Sequence, residues 1–268
     1  MRTLLCLAIV SAFGSALWAC RYDGGRFTSS EIDAPTGDVP DDMGDTLMVG
    51  CEGWWKMDEA DWSGGVLDSC GGDDNGAPMG SAVLEDDTLR GRTARTTNGC
   101  IQVPDSPRMR PGAAFTVSAW IKPNCTCDDE GLISKRTAFG QDAAFALYLT
   151  KNGGADYHLW VDVDTEDNRF EHTGDTFGMG WRLVTVTFDG QKPRDERVSI
   201  YLDGAFKAHA PDDATSVRGP TGAPPPVSIG CLPGGGRSLD GLVDDVAMWS
   251  RALSASEVQA WYARTLPQ

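Results

Sequence analysis

Residues 239–262 read LDGLVDDVAMWSRALSASEVQAWY. In the first half, Leu242, Val243, Val246, Met248 and Trp249 surround two adjacent acids, Asp244 and Asp245, as in a buried strand. The second half opens Ser254-Ala255-Ser256-Glu257, a capping box in which the serine oxygen accepts from the Glu257 N–H and the glutamate reaches back to the cap. Val258, Trp261 and Tyr262 then fall at i, i+3 and i+4, one apolar stripe. A chain that ends in this way closes a sheet and pins the seam with one short amphipathic helix.

Working back from that stretch, short strand-like runs alternate with turn residues. They are GWWKMD (53–58), CIQV (100–103), AFTVSAWIKP (114–123), GLISK (131–135), AAFALYL (143–149) and YHLWVDV (157–163). WRLVTVTFD (181–189), RVSIYLD (197–203) and VSIG (227–230) lead into the closing stretch. Val184, Val186 and Phe188 share one face with Thr185 and Thr187 opposite, and Val198, Ile200 and Leu202 repeat the pattern before an Asp203-Gly204 hairpin turn. Many short strands with Asn/Asp/Gly turns predict an antiparallel sandwich or barrel and argue against a βαβ fold. Residues 211–226 carry too many prolines for a central strand and read as a long loop.

The formal net charge of −16 over 268 residues argues against nucleic acid, whose phosphates require a basic face, and against attraction to anionic lipid. The length suits one large β domain or two small ones. Residues 1–19 read as a secretory signal, with Arg2 as the positive end and an apolar run at 4–12. Gly14-Ser15-Ala16 offers ordinary cleavage, whereas Leu17-Trp18-Ala19-Cys20 resembles a bacterial lipobox with an unusually large residue before the alanine. Cysteine parity favours the second. Of eight cysteines, Cys6 leaves with the signal and an acylated Cys20 carries lipid, leaving Cys51, Cys70, Cys100, Cys125, Cys127 and Cys231 as an even set for three disulfides. Their connectivity stays open. Residues 20–50, rich in Gly, Asp, Ser, Thr and Pro, read as a lipidated cysteine and flexible tether, and 51–268 as the folded domain. The chain is thus expected to be exported and held at the outer membrane or cell surface by lipid alone.

The order of phrases carries a resemblance. GWWKMDEA, LDSCGGDDNG, CIQVPDSPRM, FTVSAWIKP, LISK, Trp181 with VTVTFDG, VSIYLDG, VSIG and GLVDDVAMWSRALSASEV follow one another across about residues 53–262. This resembles the laminin-G-like, concanavalin-A-like jelly-roll domain of secreted bacterial proteins. The resemblance implies an all-β, two-sheet antiparallel jelly-roll sandwich whose last strand pairs with its first, with one short C-terminal helix. Trp249 would lie near Trp54 and Asp244 near Asp58, with Trp54, Trp120, Trp181 and Trp249 buried. Residues 76–99 depart from the pattern, being polar where relatives carry an apolar strand pair. Family functions range over carbohydrate binding, adhesion, protein contacts and, in some members, a rim calcium, so membership speaks to fold far more than to function.

Calcium wants six to eight hard oxygens. The run Asp68-Ser69-Cys70-Gly71-Gly72-Asp73-Asp74-Asn75-Gly76 resembles a family loop that shares a cation with an acid on the closing strand, which nominates Asp68, Asn75 and Asp244 as metal ligands. Asp58 joins them through the expected strand pairing. Cys70 stands where relatives have a small residue, so a disulfide there takes over part of the metal's task. A merely solvated acidic turn is the alternative. The second acidic run, 162–168, lacks the glycine and closing glutamate of an EF-hand. His158, His172 and His209 are not at metal spacing, and Cys125-Thr126-Cys127 is not a CxxC. No Glu-x-Asp-x-x-Glu strand, Gly-x-Ser-x-Gly turn, phosphate loop or metalloprotease helix occurs, so catalysis is not indicated. Trp62 and Trp160, beside acids and near turns, are the candidate ligand-stacking aromatics.

Three functions remain in view: a lipid-tethered, non-catalytic module binding glycans or proteins outside the cell, a structural envelope protein packing on a neighbour, and a polysaccharide-active enzyme. The first accounts for signal, lipobox, tether and phrases together. The mature full-length protein is expected to begin at an acylated Cys20. Intact mass spectrometry before and after reduction checks both the acyl chains and the thiol count; a mature terminus downstream of Ala16 without lipid would remove the anchor.

Overall fold

The computed structural model of the protein describes residues 46–124, 129–137, 143–151, 157–163, 169–172, 178–217, 222–233 and 237–267. In chain order the strands begin with β1 (Cys51–Trp55), β2 (Ala77–Gly80), β3 (Val83–Asp87), β4 (Gly91–Arg95), β5 (Gly99–Val103) and β6 (Ala114–Pro123). β7 (Glu130–Arg136), β8 (Ala143–Lys151), β9 (Tyr157–Val163), β10 (Arg169–His172), β11 (Arg182–Asp189) and β12 (Val198–Leu202) follow. β13 (Ala205–Ala210), β14 (Val227–Ile229), β15 (Cys231–Leu232), β16 (Arg237–Ser238) and β17 (Gly241–Trp249) precede the helix α1 (Ala255–Arg264).

These strands form two sheets. The first runs β13-β12-β11-β6-β17-β4-β3, and the second runs β10-β9-β8-β7-β14-β5-β2 with the β15–β16 ribbon attached to β7. β17 is the hinge of the first sheet. One edge pairs with β6 over its whole length; the other pairs with β4 at Leu242–Val243 and with β1 at Val246, Ala247, Met248 and Trp249. First and last strands therefore lie side by side, as the family resemblance implies.

The core between the sheets is built by strand alternation. Val184, Val186 and Phe188 of β11 stand opposite Ala119, Val117 and Phe115 of β6 and are buried, while Thr185 and Ser118 pair their hydroxyls at 2.7 Å on the other face. Phe115 packs at 5.5 Å against Phe188 and at 5.5 Å against Phe145 of the opposite sheet. On the outer face of the first sheet, α1 lays Val258 and Trp261 over Trp54, Trp120, Ala247 and Trp249 to make a second apolar cluster. Trp261 meets Trp54 and Trp249 edge-on at 5.1 and 4.9 Å. The sheet is buried on both sides here, which is why β17 reads as a nearly continuous apolar run. Ser254 and Glu257 form the expected capping box.

Several expectations need correction. The first strand starts two residues earlier and ends at Trp55, because Cys51 pairs with Trp249 while Met57 turns the chain at a φ of +59°. The polar stretch 76–99 holds β2, β3 and β4; its side chains need no apolar period because β3 is an edge strand with Val83 and Leu84 only partly covered. Thr46–Gly50, read as tether, pack on the domain: Leu47 is buried and its carbonyl accepts from Trp249 Nε1 at 2.8 Å. Two disulfides join Cys51 to Cys70 and Cys100 to Cys231. Cys20, Cys125, Cys127 and the signal segment lie outside the described residues.

Because Trp261 fills the space between the helix and two strand tryptophans, Trp261→Ala is expected to cost about 3–5 kcal/mol, and Ser254→Ala about 1 kcal/mol. Urea unfolding of both variants measures this; equal effects would show that the helix is not packed as described.

Candidate functional site

The acids of the closing strand owe their position to a bulge. Val243 and Val246 both belong to the inter-sheet core although they are three residues apart, an odd number that a regular strand cannot place on one face. The extra residue is accommodated between Asp244 and Ala247, where the register to β6 shifts and Asp245 adopts a φ of +43°. Asp244 and Asp245 thereby share one cation, Arg90. Its Nε lies 2.6 Å from Asp244 Oδ2, its Nη2 lies 2.7 Å from Asp245 Oδ2, and its Nη1 donates to the Thr265 carbonyl at 3.0 Å. Trp54 Nε1 donates to the remaining Asp245 oxygen at 2.8 Å, and the guanidinium stands 4.3 Å from the Trp120 ring centroid. Burial pushes both carboxyls upward, for Asp244 with help from its neighbour Asp245, and Arg90 opposes the shift.

Arg90 arrives from the β3–β4 turn, and Asp87 shapes that turn. Asp87 Oδ1 accepts from the Leu89 and Arg90 N–H groups at 2.9 and 3.2 Å and from Trp181 Nε1 at 2.9 Å, while Oδ2 pairs with Lys122 at 2.6 Å. Burial works against the ionised form, but Lys122, Trp181 and the turn N–H groups outweigh it and hold the Asp87 pKa down to about 2.

The acidic loop between β1 and β2 is organised by Asp68. Its Oδ1 accepts from the Trp54 and Cys70 N–H groups at 3.0 and 2.8 Å, its Oδ2 accepts from Gly72 N–H at 3.2 Å, and Asn75 Oδ1 accepts from the Asp68 N–H at 2.8 Å. Asp68 and Asn75 thus come together as expected. Asp244 does not join them: its carboxylate is committed to Arg90. Asp58 is exposed, and its carboxyl is raised first by partial burial and then by Glu59, with Lys56 and Arg90 opposing the rise. The four residues expected as calcium ligands, Asp58, Asp68, Asn75 and Asp244, therefore do not form one ligand set. Among the described residues no three His, Cys, Asp or Glu side chains converge as an ion requires. The reason is electrostatic: arginines stand against both groups of acids, Arg90 at the bulge and Arg108 at the loop, where Nη1 lies 3.5 Å from Asp68. Nothing in the local sequence pattern identifies either arginine.

Trp62 and Trp160 also separate. Trp62 is half-buried at the rim, packed against the inter-sheet core, with an indole N–H that has no hydrogen-bond partner among the described residues. It lines an open hollow of about 280 Å³ together with Ala60, Asp61, Ala82, Val83, Leu84 and Arg92. Arg92 Nη2 donates to the Ala60 carbonyl at 3.0 Å, which ties the loop to β4. The Ser63 hydroxyl and N–H hold the Asp61 carboxyl below the usual range, so it faces the hollow as an anion. Trp160 sits on the second sheet, on the side turned from the core, stacked on Tyr148 at 5.9 Å. Asp61 is the carboxylate that lines the hollow.

Asp87 has a folded-state pKa below its unfolded value of 3.8, so its contribution is complete above about pH 4 and is lost as pH falls through about 2. Thermal unfolding across pH 2–5 is expected to show a shallower acid decline in Asp87→Asn than in the unsubstituted chain; parallel curves would refute the assignment.

Residues 95–259 match the concanavalin A-like lectin/glucanases superfamily. No curated protein matches the chain. Among solved structures, domain 4 of AbnA, a GH43 extracellular arabinanase from Geobacillus stearothermophilus in complex with arabinotriose, is 18% identical with a TM-score of 0.58, over 78% of this chain and 97% of that one. The binding domain of botulinum neurotoxin DC in complex with rat synaptotagmin II is 11% identical with a TM-score of 0.58, over 82% of this chain and 52% of that one. The binding domain of Paraclostridial Mosquitocidal Protein 1 is 15% identical with a TM-score of 0.57, over 81% and 52%. The chain thus spans about half the length of these toxin domains, and at such identities the likeness is one of fold. With first and last strands paired in a two-sheet sandwich and the family match covering residues 95–259, the chain belongs to the concanavalin A-like lectin/glucanases superfamily.

Proposed function

We propose that the protein is an exported, lipid-anchored, non-catalytic module that binds a glycan in the hollow beside Trp62. The observation that carries this is the composition of that hollow. An aromatic edge and the apolar wall of Ala82, Val83 and Leu84 meet one anion, Asp61, and one cation, Arg92. A sugar ring presents an apolar face for stacking and a rim of hydroxyls that both donate and accept, so this mixture suits it. Its open form suits a chain passing across rather than a small molecule enclosed. The arabinotriose complex of the similar AbnA domain supports a saccharide ligand, and the synaptotagmin complex of the toxin domain supports a protein ligand as the second reading. Export is supported by the signal-like residues 1–19 and by two disulfides, which persist in oxidising compartments. No helix among the described residues is long and apolar enough to cross a membrane, and Cys20 supplies the proposed anchor.

A glycan array followed by titration calorimetry tests the reading. Trp62→Ala is expected to weaken binding of the strongest array ligand about tenfold, equivalent to about 1.4 kcal/mol, at a temperature where the variant remains folded; some loss of melting temperature accompanies it, because the ring also packs on the core. Trp160→Ala is expected to leave affinity intact. An empty array combined with protein capture that survives Trp62→Ala would sink the glycan assignment.

A further inference from the structure

The hollow beside Trp62 carries one charge that the fold leaves without a partner. The basic side chains around it are already engaged. Arg92, which lines the hollow, gives Nη2 to the Ala60 carbonyl at 3.0 Å and holds Nε 3.4 Å from Asp86. Arg95, on the same strand, donates to both carboxylate oxygens of Glu85. Lys56 places its Nζ 4.1 Å from the centroid of the Trp54 ring. Asp61 differs from the acids these residues meet. It is exposed on the wall of the hollow and accepts from the Ser63 N–H at 2.8 Å and from the Ser63 side chain. Among the described residues no cation pairs with it. An open cavity therefore sets an unneutralised carboxylate next to an indole ring and the apolar side chains of Val83 and Leu84.

We infer, resting on the saccharide reading, that the hollow selects an amino sugar with a free ammonium group, its nitrogen pairing with Asp61 while its ring packs on Trp62. An ammonium is attracted both by a carboxylate and by the electron-rich face of an indole, so Asp61 and Trp62 favour the same charge. A neutral hydroxyl or an acetamido group in that place leaves the carboxylate unneutralised. A uronic acid is repelled by Asp61 and by a chain whose formal charge is −16. The cations of the rim cannot reverse this preference, because each already has an acceptor or a ring of its own. In a setting close to water, a pair of unit charges about 4 Å apart is worth roughly fivefold in affinity.

Titration calorimetry of the full chain tests the inference with matched probes: glucosamine and galactosamine oligomers, each free and fully N-acetylated, and a neutral hexose oligomer. Mildly acidic buffer keeps the sugar amine protonated and Asp61, whose carboxyl lies below the usual range, ionised. A free-amine oligomer is expected to bind about fivefold or more tightly than its acetylated counterpart and than the neutral probe. That preference shrinks between about 0.1 M and about 1 M sodium chloride, as the screening length falls from about 10 Å to about 3 Å. Asp61→Asn is expected to bring the ratio of free to acetylated affinity close to one. Asp195→Asn makes the same change in net charge in the turn between β11 and β12, and is expected to keep the ratio. An acetylated or neutral probe binding as tightly as the free amine, or a ratio that Asp61→Asn leaves unaltered, overturns the amino-sugar inference and leaves the saccharide reading standing. Binding of no saccharide at all removes both.

Discussion

A guanidinium gripped by two neighbouring carboxylates at a strand bulge is the contact on which the closing seam depends. Asp244 and Asp245 can both leave the core only because β17 carries an extra residue, and they can both be buried only because Arg90 meets them. The same guanidinium accepts a third duty at the helix C-terminus, where the Thr265 carbonyl would otherwise be an unmet acceptor. Strand, turn and helix are thus locked through a single planar group whose donors point in fixed directions. Removing one partner of such a buried arrangement characteristically costs about 3–5 kcal/mol, since it strands the remaining charges.

The rim repeats this solution at a second place. Arg108 gathers Glu52, Asp68, Asp74 and the Cys51 carbonyl from β1 and the loop after it, and it comes from the connection between β5 in one sheet and β6 in the other. The cation is covalently part of the chain and ties the loop to that connection. With the loop fixed, Trp62 is held at the edge of the core and the hollow beside it keeps its shape, bounded by β3 and β4 on the far side. A rigid rim carrying a pre-placed aromatic is what a binding surface needs to avoid ordering costs on association.

Much of this was readable in particular residues. The alternation of Val184, Val186 and Phe188 marked a half-buried strand because side chains of a pleated strand change faces at every step. Ser254 and Glu257 marked the helix start because their reciprocal bonds form within four residues. Even the bulge left a trace, as Val243 and Val246 stand three apart in an otherwise alternating strand. Trp62 was recognisable as an aromatic beside acids, but the wall it faces comes from β3 and β4, whose polar residues 83–95 carry no apolar period. The arginines that stand against the acids expected as calcium ligands, Arg90 and Arg108, carried no such signal.

The sequence by itself determined the antiparallel β class, the capped terminal helix and the acidic character of the rim, because each of these is written in local spacing or in turn and cap chemistry, whereas the two-sheet layout and the pairing of first and last strands came from the resemblance to a family. Tertiary structure alone decided which cation meets which acid. Arg90 and Asp244 are 154 residues apart, and Coulomb attraction, unlike pleat or helix period, leaves no mark on the residues between its partners.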